Sequence, residues 1–124
     1  MNGVEEKRVG EALSVDVLER ADDTVVAVTG ELDFGTTPRL LEVAEPLAAT
    51  GGALVLDLTG LTFCDSSALS ALVRLHKVTR AAGGALCLAA LRPQVKAAIT
   101  MTSLDQLLTI VDEVPPAGDE RRRP

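Results

Sequence analysis

Two polar segments hold the residues of this sequence that could take part in chemistry. Asp33 lies in a loop after a β-branched run, and Asp65-Ser66-Ser67 precedes a long helical pattern. An aspartate before a helix caps it, because its carboxylate accepts a hydrogen bond from a free backbone N–H group. The same helix end also favours a phosphate, because it combines free N–H groups with the positive end of the helix dipole. Ser66 is therefore either part of a helix start or a serine placed to accept a phosphoryl group, which would add a charge of about −1.5 to −2.

Enzymatic chemistry has little support in the sequence. The only histidine, His76, follows Ser66 on the same predicted helix. It would lie about 15 Å away along the axis, too far to act as a base for that serine, and we expect it at the surface or boundary of the helix. Asp57 ends an apolar strand as the phosphoacceptor of a two-component receiver does, but the acidic pair and late lysine of a receiver are missing. No nucleophile elbow, phosphate-binding loop or dinucleotide fingerprint occurs, so the sequence predicts no enzyme.

The two cysteines do not indicate a metal or cofactor site. Cys64 and Cys87 are far apart in the sequence, and one histidine cannot complete a zinc site of the usual kind. The N-terminus has charges of both signs and no apolar signal segment, which predicts a cytoplasmic protein. A disulfide remains open, but reduced and buried thiols are the expectation in that compartment.

Composition narrows the possible partners. The chain has 124 residues, of which 47% are hydrophobic, and a net charge of −6. That charge and the presence of only two aromatic residues, Phe34 and Phe63, argue against a nucleic-acid partner, since such surfaces need basic and aromatic groups. The apolar runs are far shorter than the ~18–20 residues that cross a bilayer, so no membrane insertion is predicted.

Strand and helix patterns alternate along the chain in the order β-β-α-β-α-β-α-β. This order predicts an α/β fold with a mixed sheet, because helices between apolar strands act as parallel crossovers. Thr37 is expected to cap the first helix and Pro46 to kink or shorten it, and residues 59–65 are expected to form a loop. One domain is predicted at 11–114, with a flexible start at 1–10 and a disordered tail at 115–124. Strands are predicted at 11–19, 24–29, 53–58, 85–90 and 107–111, and helices at 38–48, 66–82 and 93–101.

Three segments carry a resemblance to a known family. They are GELD at 30–33, LVLDLTGLTFCDSSAL at 54–69 and GGALCLAALRPQVKAAITMTSLDQLLTI at 83–110. Together they resemble the STAS domain, and within it the bacterial anti-sigma factor antagonists, also called anti-anti-sigma factors. The resemblance covers about residues 11–112, nearly the whole predicted domain.

The resemblance implies a non-enzymatic regulator without a cofactor. Such a protein binds an anti-sigma factor that is also a serine kinase, and thereby frees a sigma factor. Phosphorylation of the switch serine inactivates it, and a metal-dependent serine phosphatase restores it. Carried onto this sequence, the switch serine is Ser66, with Ser67 as second choice, and the partner-binding residues are Asp33, Asp65, Ser66, Ser67 and Leu69.

Two departures from the family pattern bear on these expectations. Ala68 stands where the family usually has glycine, and its methyl group is expected to stiffen the first helical turn where a kinase must approach. This slightly favours an alternative function, a non-phosphorylated STAS subunit of a larger assembly such as a lipid-transport ATPase complex or a stress-sensing scaffold. The family's C-terminal helix also has no counterpart after the last predicted strand, which either leaves apolar surface open or requires neighbouring residues to cover it.

Overall fold

The computed structural model describes residues 13–117, which form one six-stranded mixed sheet with helices on it. The predicted start at 1–10 lies outside these residues, as does the predicted tail beyond residue 117. The strand order is β1-β2-β3-β5-β6, and β4 also pairs with β2. The elements are β1 (Leu13–Glu19), β2 (Thr24–Leu32), α1 (Thr37–Ala48), β3 (Ala53–Asp57), β4 (Leu61–Cys64), α2 (Ser66–Ala81), β5 (Ala85–Ala89), α3 (Pro93–Met101), a 3₁₀ turn (Leu104–Gln106) and β6 (Thr109–Val111).

This arrangement confirms the predicted mixed α/β fold. β1 and β2 form an antiparallel hairpin, and every other strand pair is parallel. At the hairpin turn, the Arg20 guanidinium donates two hydrogen bonds to the Asp23 carboxylate, at 2.7 and 2.8 Å. These bonds raise the pKa of Arg20 above its usual value. The Arg20–Asp23 ion pair therefore closes the turn between β1 and β2.

The predicted loop at 59–65 was wrong, because it contains a fourth strand. β4 has only four residues, and two of them, Thr62 and Phe63, are exposed, so its sequence lacks a buried-strand pattern. β4 can pair with β2 because β2 is longer than β3, so the last residues of β2 are not paired with β3. β3 pairs with residues 24–27 of β2, and β4 pairs with residues 30–32.

The main core lies between the sheet and its three helices. Alternate residues of the central strands face the helices, and α1, α2 and α3 all contribute to the same buried cluster. The other face carries a smaller cluster of Val25, Val55 and Ala89, against which Val111 and Val114 pack. Over residues 112–117 the described chain forms no helix, and Val114 is the residue from this segment that covers that face. Both faces of β3 are therefore covered, as its continuous apolar sequence predicts.

Three local predictions about the helices need correction. The residue flanking α1 is Thr36 rather than Thr37, which lies inside the first turn next to Pro38. Pro46 neither ends nor shortens α1, which continues to Ala48. On α2, His76 is only 9% exposed, so it lies deeper than the surface or boundary position expected for it.

Candidate functional site

The two polar segments singled out in the sequence meet where β2 and β4 end. These strands are parallel, and Leu32 pairs with Cys64 at their last residues. Asp33 and Asp65 follow directly, and the Asp65 amide donates to the Leu32 carbonyl oxygen at 3.2 Å. Because parallel strands end at the same edge of a sheet, this register brings together residues that lie 31 to 33 positions apart in sequence.

Asp33 organises the turn that leads into α1. Its Oδ1 accepts hydrogen bonds from the amides of Gly35 at 2.9 Å and Thr36 at 3.0 Å. The Thr36 hydroxyl in turn accepts from the Asp33 amide and donates to the Glu31 carbonyl oxygen, both at 2.9 Å. Thr37 donates to the Asp33 carbonyl oxygen through its amide and its hydroxyl, at 2.8 and 2.6 Å. The turn is thus fixed by its own side chains.

Asp65 links that turn to the start of α2. Its Oδ1 accepts from the Ala68 amide at 3.1 Å, which is the helix cap predicted from the sequence. Its Oδ2 accepts from the Phe34 amide, also at 3.1 Å. One carboxylate therefore satisfies a free N–H group of the helix and holds the Asp33 turn in place.

The two serines that follow differ in accessibility. Ser66 begins α2 and is exposed, whereas Ser67 is half-buried and lines a groove between α1 and α2. Ala68 is fully buried in the main core. Its methyl group therefore does not lie where a kinase would approach, and that expectation was wrong.

The groove beside Ser67 is an open depression of about 600 Å³. Leu41 of α1 and Val73 and Val78 of α2 form its apolar part. An ion pair between Arg74 Nε and Glu45 Oε2, at 2.9 Å, joins the two helices across it. Because this pair is largely exposed, it contributes little to stability, about 0–1 kcal/mol.

The structure argues against Leu69 as a contact residue and adds Phe34 as a candidate. Leu69 is 9% exposed and packs in the main core, so it offers little area to a partner. Phe34 was not among the predicted site residues, yet it is 81% exposed and follows Asp33 directly. The sequence contained one indication that Phe34 belongs to the site: both aromatic residues of the chain lie within two residues of a site aspartate.

Cys64, next to Asp65, is half-buried and free, as is Cys87. Burial raises the pKa of the Cys64 thiol to about 11, and the negative charge of Asp65 adds to the effect. Within residues 13–117, no three histidine, cysteine or acidic side chains are grouped so as to hold a metal ion. Nor is any helix in that range long and apolar enough to cross a membrane.

Together, the fold and the site define a small mixed α/β domain that presents an exposed serine beside a rigid acidic turn. The family model for the STAS domain matches residues 14–117. The chain belongs to the STAS domain family.

Its relatives include proteins named as anti-sigma factor antagonists. The anti-sigma-B factor antagonist of Bacillus subtilis is 31% identical over 98 residues, which cover 79% of this chain and 90% of the relative. A crystal structure of an anti-sigma factor antagonist from Mycobacterium paratuberculosis has a TM-score of 0.74 at 26% identity, covering 89% of this chain and 91% of the other. The phosphorylated form of Bacillus SpoIIAA, at 18% identity, shares the fold with a TM-score of 0.66, covering 90% of this chain and 100% of the other.

We expect Asp65→Ala to destabilise the protein by about 1–2 kcal/mol, because it removes the helix cap and also the tie to the Phe34 amide. Urea unfolding measures the free energy, and amide hydrogen exchange measures protection of Phe34. Asp65→Asn is the matched control: its remaining carbonyl oxygen can cap α2, but its amide group cannot accept from Phe34. Equal Phe34 protection in wild type and both variants would contradict the linking role of Asp65.

The raised pKa makes Cys64 a slow nucleophile at neutral pH. In a Cys87→Ser variant, the folded protein at pH 8 should react with iodoacetamide roughly 10- to 100-fold more slowly than the urea-unfolded chain, because about 100-fold less thiolate is present and the greater nucleophilicity of that thiolate offsets only part of the loss. Burial disfavours the thiolate, so the rate should keep rising with pH until about 11. A rate that levels off near pH 9 would show that the thiol is not shielded.

Proposed function

We propose that this protein is an anti-sigma factor antagonist: it binds an anti-sigma factor and thereby frees a sigma factor in the cytoplasm. The observation that carries this proposal is the exposed Ser66, held next to the Asp33 turn by the Asp65 carboxylate. The relatives from Bacillus subtilis and Mycobacterium paratuberculosis, both named as antagonists, support it. In this role the chain is a binding regulator and not an enzyme.

In the finer proposal, the anti-sigma factor is a serine kinase that transfers the γ-phosphoryl group of ATP to the Ser66 hydroxyl. Ser66 is preferred to Ser67 because it is exposed, whereas Ser67 is half-buried along the groove. A metal-dependent serine phosphatase hydrolyses the phosphate and resets the protein. Asp33, Asp65, Ser66 and Ser67 form the proposed binding face.

Phosphorylation would switch binding off by charge and solvation. The phosphate brings about two negative charges to a surface that already carries Asp33 and Asp65. When a partner surface shaped to receive a hydroxyl docks there, the phosphate dianion must lose its hydration next to two carboxylates. Binding is weakened because the cations of such a surface are already paired with Asp33 and Asp65, so the dianion is desolvated without a further cation to compensate it.

The alternative function, a non-phosphorylated STAS subunit of a larger assembly, was slightly favoured by Ala68. Since the Ala68 methyl group lies in the core, it does not obstruct access to Ser66. The geometry of the helix start therefore gives the structural role no advantage.

Phosphorylation itself is tested with the purified serine-kinase anti-sigma factors of the host and radiolabelled ATP. We expect the wild type and Ser67→Ala to be labelled and Ser66→Ala to lose the label, because Ser66 is exposed whereas Ser67 is half-buried. Peptide mapping across residues 61–75 confirms the position. Labelling of Ser66→Ala at the wild-type rate would refute Ser66 as the acceptor.

The switch is tested with Ser66→Asp, which places a negative charge at the same helix start. We expect its Kd for the anti-sigma factor to rise more than about 100-fold, which corresponds to ~3 kcal/mol. Isothermal titration calorimetry measures this, with Ser70→Asp as the matched control, since Ser70 is an exposed serine one turn further along α2. Equal affinity of Ser66→Asp and wild type would contradict a charge-based switch.

A further inference from the structure

Both phenylalanines of this chain lie outside the hydrophobic core. The buried clusters contain aliphatic side chains, while Phe34 is 81% exposed and Phe63 is 48% exposed. An exposed phenylalanine forgoes the ~1.5–3 kcal/mol that burial of such a side chain contributes. Aromatic residues are enriched at protein–protein interfaces, where a partner supplies the missing burial.

Both aromatic residues lie in segments that are tied to Asp65, the residue before the exposed Ser66. Phe34 follows Asp33, and its amide donates to the Asp65 carboxylate. Phe63 pairs with Glu31 in the β2–β4 ladder, two residues before Asp65. Leu18, by contrast, pairs with Val25 near the start of β2, at the opposite end of that strand. The aromatic residues therefore mark one end of the sheet rather than being scattered over the surface.

Phe34 is also held in a fixed position, although its side chain is free. The residues on either side of it are fixed by the Asp33–Thr36 hydrogen bonds, and its own amide is bound by Asp65. Presenting an aromatic side chain on a fixed turn lowers the entropy cost of binding, because only its two side-chain torsions remain to be ordered.

The charges around Phe34 define what kind of surface would receive it. Glu31 lies near the end of β2, Asp33 precedes Phe34, Asp65 accepts its amide, and Arg39 lies in the first turn of α1. These four groups carry a net charge of −2, from three carboxylates and one guanidinium. A complementary surface would combine an apolar pocket with a basic rim.

We propose that Phe34 is the anchor residue of the partner interface: its ring enters an apolar pocket with a basic rim on the partner protein, and Phe63 extends the apolar contact. The inference rests on the proposed function only for the identity of that partner, an anti-sigma factor. Ser66 lies at the edge of this contact, where its hydroxyl can be reached before docking and its phosphate would oppose docking. Phe34 thus supplies affinity, and Ser66 controls it.

The test uses tagged full-length wild type, Phe34→Ala and Met101→Ala, each expressed in the native host. Met101, 83% exposed at the end of α3, is the control matched for exposure and apolar character. Captured proteins are identified by mass spectrometry and purified, and their Kd values are measured by calorimetry. We expect Phe34→Ala to raise the Kd at least about 30-fold and Met101→Ala to change it less than about threefold. Because Phe34 is exposed, its variant should keep the wild-type unfolding midpoint, which thermal melting checks.

The outcomes separate the anchor from the proposed function. If an anti-sigma factor binds wild type and Met101→Ala but not Phe34→Ala, both proposals are supported. If the purified partner is another protein and Phe34→Ala again weakens binding at least about 30-fold, the anchor is supported and the proposed function is wrong. If Phe34→Ala binds the anti-sigma factor like wild type, the anchor is wrong and the function stands. If wild type captures no protein, both are wrong.

Discussion

The short parallel pairing between β4 and the end of β2 brings together the residues of the candidate functional site. β2 extends beyond β3, and β4 occupies the vacant edge by pairing Leu32 with Cys64. Without that contact, Asp33 and Asp65 would belong to unrelated loops. With it, two sequence-distant turns share hydrogen bonds, and the helix that begins at Ser66 starts next to the turn that precedes α1.

Asp65 holds these two turns together through hydrogen bonds. Its two carboxylate oxygens serve two separate elements, the α2 N-terminus and the Phe34 amide. A charged acceptor forms stronger hydrogen bonds than a neutral one, which suits a position that holds two segments together. A serine that acts as a switch needs such a frame, because added charge changes binding predictably only when its surroundings do not rearrange.

Aliphatic and aromatic residues are also divided between the core and the surface of this protein. The core is built from leucine, valine, alanine and isoleucine, which fill the space between one sheet and three helices without aromatic side chains. The aromatic residues are left at the end of the sheet where the exposed serine lies. The opposite sheet face is covered in part by Val114, which lies in the segment after β6.

Much of this could be predicted from the sequence, because hydrophobic periodicity and helix-end chemistry are local. The alternation of strands and helices, the Asp65 cap and the buried β3 follow from residue types and spacing. Other features depend on partners distant in sequence. β4 forms only because β2 is long enough to pair with it, Ala68 points inward because α2 packs on the sheet, and Phe34 gains its place from an aspartate 31 residues away. The tertiary structure decided these points, since pairing and packing between distant segments leave no local pattern to read.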